Sequence, residues 1–451
     1  MKSLTGWAKQ SMMKKEQKEI KRMEETRILT KEIQMSLDDK KTRKNNHVFV
    51  AANTREDAIE HYILPNILQM NSNYVITDPG GYIYNKTKRF MEEQGYGMQV
   101  FHLMDPENSL HFNPFHSVVE GERLIRGYSK GYQVAIEGPE KKHEAKRVIV
   151  QTKDRVVSGD GGEQGIISMV DTIFKATDCM VEHDDAAARK FEKHLLLALA
   201  LYVAEIYEKR DRNLWKLLEL IENVELLDTW MSELQNHNFA SKAVRNYRIF
   251  QMGAEMIGEE HIVTSVCRRL QIFERDVLKA LMQDSSIDFD AFGRERQVLF
   301  IISPEGMEPI VAMLVQQVEE RLREYTERVC DNYRLPIPVT MILSMEYANL
   351  ISDLNMRMVT SRKYNIGYSF IADVPNTHLQ GAKDEWEFVA DACDSFLYLG
   401  STDEAARNYV SEQMRKSVQL KEDECILVIR GQAPVVGKKY DLTEHPRYKE
   451  I

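Results

Sequence analysis

Short apolar runs that alternate with predicted helices constrain the fold of this chain more than any other feature. The first block has apolar runs at 47–51, 74–77 and 97–103, with predicted helices at 54–69 and 84–94. The second block has runs at 298–304, 338–343, 368–372, 395–399 and 425–429, with predicted helices at 307–332 and 349–363. Apolar runs of this length, separated by helices, are typical of strands buried on both faces. The alternation therefore predicts an α/β fold with a mostly parallel sheet flanked by helices.

A long helical stretch separates the two blocks. From 166 to 285, apolar residues recur at three- and four-residue spacing in segments at 186–207, 214–224, 227–237, 242–256 and 262–283. No proline occurs between 140 and 303, which favours helices. The simplest organisation is one α/β domain in two parts, 46–117 and 286–451, interrupted by an inserted all-α domain at 166–285.

Two segments fall outside this scheme. Residues 1–45 are polar and lysine-rich and are predicted to form a charged, solvated N-terminal arm, with a helix at 14–27. The alternative for this segment is an arm that binds nucleic acid. Residues 118–165 are predicted to form an inserted hairpin or loop element, with strand-like runs at 133–136 and 148–151. The glycines between Gly159 and Gly165 predict a hairpin or mobile loop, because no Lys-Ser/Thr pair follows that would complete a phosphate cradle.

Composition excludes several classes of protein. A net charge of −10 over 451 residues argues against a nucleic-acid grip spread over the whole surface. The five cysteines are far apart and form no C-x-x-C pair, which argues against zinc and disulfide frameworks and favours a reducing cytosol. No run approaches the ~18–20 apolar residues of a membrane span, and residues 1–10 contain no signal peptide. We therefore expect a cytoplasmic protein without a transmembrane segment.

A set of motifs in a fixed order resembles a known family. The motifs are Tyr74–Pro79, His111–Phe115, Met345–Asn349, Cys393–Gly400, Ile429–Pro434 and Lys438–Asp441. Together they resemble the TraG/TraD-like coupling proteins of conjugative type IV secretion. The resemblance implies a RecA-like P-loop NTPase fold with an inserted all-α domain. It also implies a hexameric ATPase that docks relaxase-bound DNA at the membrane and feeds it to the transfer channel.

The phosphate loop that the resemblance implies is degenerate. With Leu64-Pro65-Asn66 fixing the register, the family's phosphate-binding Lys falls on Ala58 and its metal-holding Ser/Thr on Ile59. The loop glycines fall on Asn53, Arg55 and Asp57. Without glycines, the backbone cannot readily reach φ > 0 or approach a phosphate closely. Without the Lys and the hydroxyl, Ala58 and Ile59 cannot pair with the β- and γ-phosphates or complete the Mg²⁺ shell.

The replacement sequence predicts an ordinary helix start. Thr54 is placed to act as the N-cap, and Glu56 and Asp57 fall in the first turn, where carboxylates interact favourably with the helix dipole. The same carboxylates would repel a triphosphate.

Other positions of the implied nucleotide site are also altered. Met345 stands where the family has the metal-binding Asp of its second motif, while Glu346 is a remnant of the water-activating acid. An alternative role for Glu346 is a capping or paired surface carboxylate. Asp373 replaces a Gln, and Asp78-Pro79-Gly80-Gly81-Tyr82 replaces Asp-Pro-Lys-Gly-Glu. We expect no catalytic residue, no metal site and no bound cofactor.

The main functional hypothesis is a catalytically degenerate, pseudo-ATPase component of a conjugative type IV secretion system. It would bind secretion or relaxosome proteins, with single-stranded DNA as a further candidate, and associate with itself or with an active paralogue. Such partners would place it at the inner face of the plasma membrane. The alternatives are an active DNA-transfer ATPase with a divergent site, which would need ATP and Mg²⁺, and a decaying relic.

The helical insertion contains the candidate partner-binding residues. Its basic positions are Lys190, Lys193, Lys242, Arg245, Arg268 and Arg269. The alternative for each is an ordinary solvated surface position.

Overall fold

The computed structural model describes residues 25–118, 122–125, 155–158, 161–181, 186–330, 332–373, 383–401 and 403–451. The described strands are β1 Thr26–Ile28, β2 Gln34–Ser36, β3 Val48–Ala52, β4 Asn73–Thr77, β5 Gly97–His102, β6 Glu122–Ile125, β7 Arg155–Ser158, β8 Gln297–Ile302, β9 Val339–Ser344, β10 Ile366–Asp373, β11 Ser395–Tyr398, β12 Glu424–Ile429 and β13 Val435–Lys438. Nine of them form the central sheet, in the order β13-β12-β11-β3-β10-β9-β4-β8-β5.

The described helices flank this sheet. They are α1 Asp39–Thr42, α2 at 55–68, α3 Tyr82–Glu93, α4 Pro114–Val118, α5 Gly161–Thr177, α6 Ala186–Ile206, α7 Trp215–Glu222, α8 Leu227–His237, α9 Lys242–Ile257, α10 Glu259–Leu270, α11 Asp276–Leu281, α12 Glu308–Val329, α13 Met345–Ala348, α14 Leu354–Tyr364, α15 Lys383–Ala392 and α16 Glu404–Met414. Neighbouring strands from β11 to β5 are parallel, and β12 and β13 add an antiparallel edge. The predicted fold class is confirmed.

Each central strand contributes to two hydrophobic cores. In β3, Val48, Val50 and Ala52 pack in one core with the apolar residues of α2, whereas Phe49 and Ala51 pack in a second core on the other face. All five residues are at most 1% exposed. This two-sided burial explains why the strand sequences are apolar throughout rather than alternating.

The helix after β3 is not regular along its whole length. It is α-helical from Arg55–Ala58, forms a π-helical turn at Ile59–Ile63 and continues as α-helix at Leu64–Leu68. The π turn lies directly before Pro65, which has no N–H to donate to the preceding turn. The wider turn lets the helix continue through a residue that would otherwise break it.

The helical insertion leaves and re-enters the sheet at one place. It departs after β5 and returns at β8, and these two strands are parallel neighbours. Backbone hydrogen bonds join the two ends, from Phe112 N to Leu281 O at 2.8 Å and from Ser286 N to His111 O at 3.0 Å. Ser285 Oγ accepts a further bond from Asn113 N at 2.9 Å.

The segment before the insertion differs in part from its prediction. The predicted loop between Gly159 and Gly165 is wrong from Gly161 onward, since α5 begins there. Its apolar positions, among them Met169 and Ile173, are buried in the core, so packing outweighs the low helix propensity of glycine. Strands β6 and β7 pair antiparallel, as expected for a hairpin. The runs predicted at 133–136 and 148–151 lie outside the described residues.

The predicted helix at 262–283 is interrupted. The chain instead forms α10, then a 3₁₀ turn at Gln271–Glu274, then α11. Likewise, the helix predicted at 349–363 is described as α14 only from Leu354, after the short helix α13. In both places the periodicity identified the helical state but not the break.

Residues 25–45 are not a solvated arm. They form the β1–β2 hairpin and α1, and Arg27 is only 3% exposed. Its guanidinium donates to Asn46 O at 2.6 Å and to Thr340 Oγ1 at 3.2 Å. A polar side chain of this segment thus makes buried hydrogen bonds and is not solvated. The rest of the predicted arm, 1–24, lies outside the described residues.

Asn66 fastens this segment to α2. Its side chain accepts from Ile28 N at 2.9 Å and donates to Ile28 O at 2.9 Å and Tyr62 O at 2.8 Å. Asn66 is 7% exposed and Ile28 is fully buried, so water cannot replace these bonds.

We predict that Asn66→Ala lowers stability by about 2–4 kcal/mol, because it leaves the Ile28 N–H and C=O buried without partners. The urea midpoint, followed by circular dichroism, measures the effect. Asn355→Ala is the control, since Asn355 is exposed on α14. Equal midpoints for the two variants would contradict the prediction.

Candidate functional site

The carboxyl ends of β3, β10, β9 and β4 meet at one edge of the sheet. Asp373, the last residue of β10, pairs with Ala52 at the end of β3, and Ile371 pairs with Ser344 at the end of β9. Thr77 Oγ1 at the end of β4 accepts a hydrogen bond from Ser344 N at 3.0 Å. In open parallel sheets this edge is where ligands bind. The altered motif residues predicted from the sequence therefore lie together.

The turn from β3 into α2 is a capped helix start. Thr54 has φ −136° and ψ 162°, and its Oγ1 accepts a hydrogen bond from Asp57 N at 3.2 Å. The predicted N-cap is confirmed. Asp57 Oδ1 lies 3.9 Å from His61 Nε2 and 3.8 Å from Lys439 Nζ. The backbone amide and charges of this turn are thus engaged by the protein itself.

Ala58 and Ile59, which the sequence comparison aligned with the phosphate-binding Lys and the metal-holding Ser/Thr, lie in the core. Ala58 is 0% exposed and Ile59 is 2% exposed, and both belong to the core between the sheet and α2. Asn53, by contrast, is exposed. A lysine or a hydroxyl at 58 or 59 would have to leave this core to reach a ligand. At these two positions the helix start therefore contributes to the hydrophobic core.

The second altered motif follows β9. Met345 is 1% exposed and packs in the core, so its thioether is not directed to solvent. Glu346 is partly buried, and burial raises its pKa above the ordinary value. The charge of Asp373 raises this pKa further, and the Arg55 guanidinium offsets part of the rise. Tyr347, the next residue, has its hydroxyl 3.1 Å from Ser303 Oγ at the end of β8.

Two aspartates complete the edge. Asp78 is 0% exposed, and its Oδ2 accepts from Tyr84 N at 2.7 Å, so it serves the start of α3. Burial raises the pKa of Asp78 and of Asp373, and the Arg55 guanidinium lowers both. The glycines that replace the family's Lys-Gly, Gly80 and Gly81, have φ of +81° and +74°. Left-handed backbone is natural for glycine, and here it forms the turn from Asp78 into α3.

Arg55 is the residue of this edge whose surroundings could not be inferred from the sequence. It was identified only as a position where a glycine had been lost. In the fold its charge acts on Asp78, Glu346 and Asp373, the carboxylates at the ends of three different strands. Its Nε is buried and makes no hydrogen bond within the described part of the chain. The register of β3 against β10 produces this arrangement, and a linear sequence does not reveal that register.

These residues do not fit a nucleotide with Mg²⁺. The Thr54 side chain already accepts a hydrogen bond from an amide of the helix start, and Ala58 and Ile59 are buried. Met345 has no side-chain oxygen with which to bind Mg²⁺. Glu346 and Asp373 also lie at this edge, and carboxylates repel a phosphate because like charges repel. In the described ranges, no group of three or more His, Cys, Asp or Glu side chains is arranged to hold a metal ion.

The candidate basic residues of the insertion separate into different environments. Lys190 and Lys193 line a cleft of about 490 Å³ together with Lys175 and Arg189, which the sequence did not single out. Arg269 is wrong as a surface candidate, since it is 0% exposed and ion-paired with Glu192 at 3.1 Å. Lys242 pairs with Glu163, and Arg245 is exposed on α9 away from the cleft lining.

The order β11-β3-β10-β9-β4, with a strand-to-helix turn at its centre, defines the RecA-like class of P-loop NTPase folds. A family model described as type IV secretory system conjugative DNA transfer matches residues 6–417. The chain belongs to this family of conjugative DNA-transfer coupling proteins, as the motifs predicted.

Solved coupling-protein structures agree with this fold. The trigonal, sulphate-bound form of the bacterial conjugative coupling protein TrwBdeltaN70 matches with a TM-score of 0.57 and 11% identity, over 94% of this chain and 92% of that chain. The unbound monoclinic form matches with a TM-score of 0.56 and 10% identity, over 92% of this chain and 88% of that chain. TrwB in complex with ADP and Mg²⁺ matches with a TM-score of 0.54 and 11% identity, over 92% of this chain and 89% of that chain. At these identities the likeness shows the fold alone. A comparison with curated protein sequences finds no match.

A transmembrane segment was not expected from the sequence. Across the described residues, no helix combines the length and the apolar character that a bilayer span requires.

We predict that Ala58→Lys destabilises the protein by about 2–5 kcal/mol, because the ammonium would enter a packed apolar core without a counter-charge. Thermal unfolding followed by circular dichroism measures the loss. Asn53→Lys, at an exposed position in the same turn, is the control and should change the midpoint little. If Ala58→Lys were as stable as this control, position 58 would be open to a ligand and the core packing described above would be wrong.

Proposed function

We propose that this chain is a nucleotide-independent component of a conjugative type IV secretion system, a coupling protein that has lost its ATPase function. The observation that supports this most strongly is the burial of Ala58 and Ile59 at the positions of the phosphate-binding Lys and the metal-binding hydroxyl. Phosphoryl transfer depends almost wholly on positioning and charge stabilisation by such groups. Without them, the carboxyl edge lacks the lysine and the hydroxyl that position the transferred phosphate and its Mg²⁺ in P-loop NTPases.

We further propose that the protein acts by binding partners. Family membership supports secretion or relaxosome proteins as those partners. The retained RecA-like fold supports association with copies of itself or with an active paralogue, which would supply the ATP turnover. Single-stranded DNA is a further candidate partner, for which the Lys190–Lys193 cleft offers positive charge. Through such partners the protein would lie on the cytoplasmic side, at the inner face of the plasma membrane.

We predict no specific nucleotide binding. Titration calorimetry with ATP or ADP, with and without Mg²⁺, should give no saturable heat up to millimolar nucleotide, because repulsion by the acidic edge is not offset by a lysine or a metal. Phosphate release should equal the rate without protein.

Glu346→Gln provides the matched control for this prediction. It removes the one acid that corresponds to the water-activating residue of the family, and it should leave all measurements unchanged. Micromolar affinity for ATP, or turnover that Glu346→Gln abolishes, would establish the divergent ATPase instead.

A further inference from the structure

The solvent-exposed face of α9, in the helical insertion, has its charges in a definite order. Arg245 and Arg248 lie toward its N-terminal end, Met252 lies at its middle, and Glu255 and Met256 lie toward its C-terminal end. All five residues are exposed, Met252 to 62% and Met256 to 73%. Because they are spaced by three or four residues, they lie on one side of the helix. This surface, which we call the α9 face, therefore changes from basic through apolar to acidic.

The acidic end of the α9 face extends past the helix. Gly258 ends α9, and Glu259 and Glu260, at the start of α10, are both exposed. Lys242, the first residue of α9, is paired with Glu163. Among the described residues, the two arginines and the three glutamates form no ion pair within 4.0 Å. These charges are thus open to a partner from outside.

The order of these charges is the reverse of the order that a single helix favours. Acids stabilise the first turn of a helix and bases stabilise the last, because the helix dipole is positive at the N-terminus and negative at the C-terminus. α9 has no acid in its first turn and no base in its last turn, and Glu255 lies near its C-terminal end. Arg245 and Arg248 are three residues apart, a spacing at which like charges repel. The stability of α9 alone therefore does not explain this order, whereas a partner with the opposite order would offset it.

The opposite side of α9 fixes the orientation of this face. Gly253 packs against Phe191 of α6 so closely that a Cβ atom at 253 would lie 2.1 Å from Phe191 Cγ. Asp228 Oδ1 of α8 accepts hydrogen bonds from Tyr247 Oη at 2.9 Å and from Gln251 Nε2 at 2.6 Å. These contacts prevent the helix from rotating about its axis. The α9 face is therefore preorganised, which lowers the entropic cost of binding a partner.

We propose that α9 binds α9 of a second copy of this chain, antiparallel, about a two-fold axis at Met252. The basic end of each copy then lies along the acidic end of the other, and the two helix dipoles oppose one another. Met252 contacts its own counterpart, and Met256 lies beside the aliphatic stem of Arg248 of the second copy. A parallel pair would instead place arginines against arginines. The proposal goes beyond the proposed function, which assigns self-association to the RecA-like fold and names no surface of the insertion.

The size of the α9 face sets the strength of this dimer. α9 has 16 residues, which corresponds to a length of about 24 Å. Two helix faces of this length bury less area than the ~1,200–2,000 Å² of a stable interface. We therefore expect a reversible dimer that forms at micromolar or higher protein concentrations.

The first test reverses the charges of one end at a time in the full chain. Arg245→Glu with Arg248→Glu makes the α9 face acidic throughout, and Glu255→Arg with Glu259→Arg makes it basic throughout. Each double variant alone should dimerise about tenfold more weakly than the wild type, because like charges then meet. An equimolar mixture of the two should recover the wild-type association, because an acidic face then meets a basic one. Sedimentation velocity over a range of protein concentrations measures the association constants.

Lys416→Glu with Lys449→Glu is the control for this test. It changes the net charge by the same amount as the first double variant, at exposed positions outside the insertion, and should dimerise like the wild type. A wild type that remains monomeric at every concentration would overturn the proposal. Equal weakening by the control, or a mixture that fails to recover, would also overturn it.

The second test uses cysteine cross-linking to measure the geometry without changing any charge. Under mild oxidation, Met252→Cys should give a disulfide-linked dimer, because this residue meets its own counterpart at the two-fold axis. Met256→Cys is the matched control, since its two copies lie about 12 Å apart along an antiparallel pair, beyond the ~7 Å between Cα atoms that a disulfide can span. The wild type, with its own cysteines, gives the background.

The yields of cross-linked dimer decide between the arrangements. Equal yields for Met252→Cys and Met256→Cys would indicate a parallel pair or random collision, and a Met252→Cys yield at the wild-type background would show that the α9 faces do not meet. Either result would overturn the proposal. Neither test involves nucleotide, so ATP binding by the wild type would contradict the proposed function without affecting this one.

Discussion

Parallel pairing between distant segments is the constraint on which the rest of the structure depends. Val48 in β3 pairs with Ser369 on one side and with Ser395 on the other, residues that follow it only after most of the chain. Parallel neighbours cannot be joined by tight turns, so helices must cross over both faces and bury them. The carboxyl ends of the parallel strands then point to one edge. The polar and charged residues that cannot enter the sheet gather there, whether or not a ligand is bound.

This geometry explains why the polar groups of the carboxyl edge need partners within the protein whether or not a ligand is bound. Backbone amides at the start of α2 and carboxylates at the strand ends remain at the edge whatever the neighbouring residues are. Thr54 supplies a hydrogen bond to Asp57 N, a cap contribution of ~1 kcal/mol. Burial of Ile59 adds ~1.5–3 kcal/mol relative to an exposed side chain. These local gains exceed the contribution of a typical exposed ion pair. They favour a helix start that is stable on its own.

The sequence predicted the features that depend on local pattern. Apolar runs located the strands, and three- to four-residue periodicity located the helices, because burial acts on every turn and every strand residue. Prediction from the sequence failed where a polar side chain, expected on the surface, is instead buried with hydrogen-bond or ion-pair partners. Arg27 looked like part of a solvated arm, yet its guanidinium has buried backbone and hydroxyl acceptors. Arg269 looked like a surface charge, yet Glu192 pairs with it inside the helical insertion.

The sequence predicted which positions belong to the candidate site, but not which residues lie next to one another there. Register against Pro65 and Asn66 identified Ala58 and Ile59 as altered positions, and the motif after β9 identified Met345; the structure places all three in the core. Asp78, Glu346 and Asp373 follow or end three neighbouring strands, β4, β9 and β10, which are distant in sequence. Only the assembled sheet brings these charges together.

The hydrogen bonds that join Phe112 with Leu281 and His111 with Ser286 have a consequence for evolution. Because both ends of the insertion meet beside the paired strands β5 and β8, the strands on either side of it stay in register across it. The insertion also contacts the second part of the α/β domain, where Thr172 Oγ1 donates to Gln316 Oε1 at 3.0 Å. Recombination or gradual drift that keeps these contacts could thus change the outer surface of the helical unit, and new partners could be acquired while the sheet remained as it was.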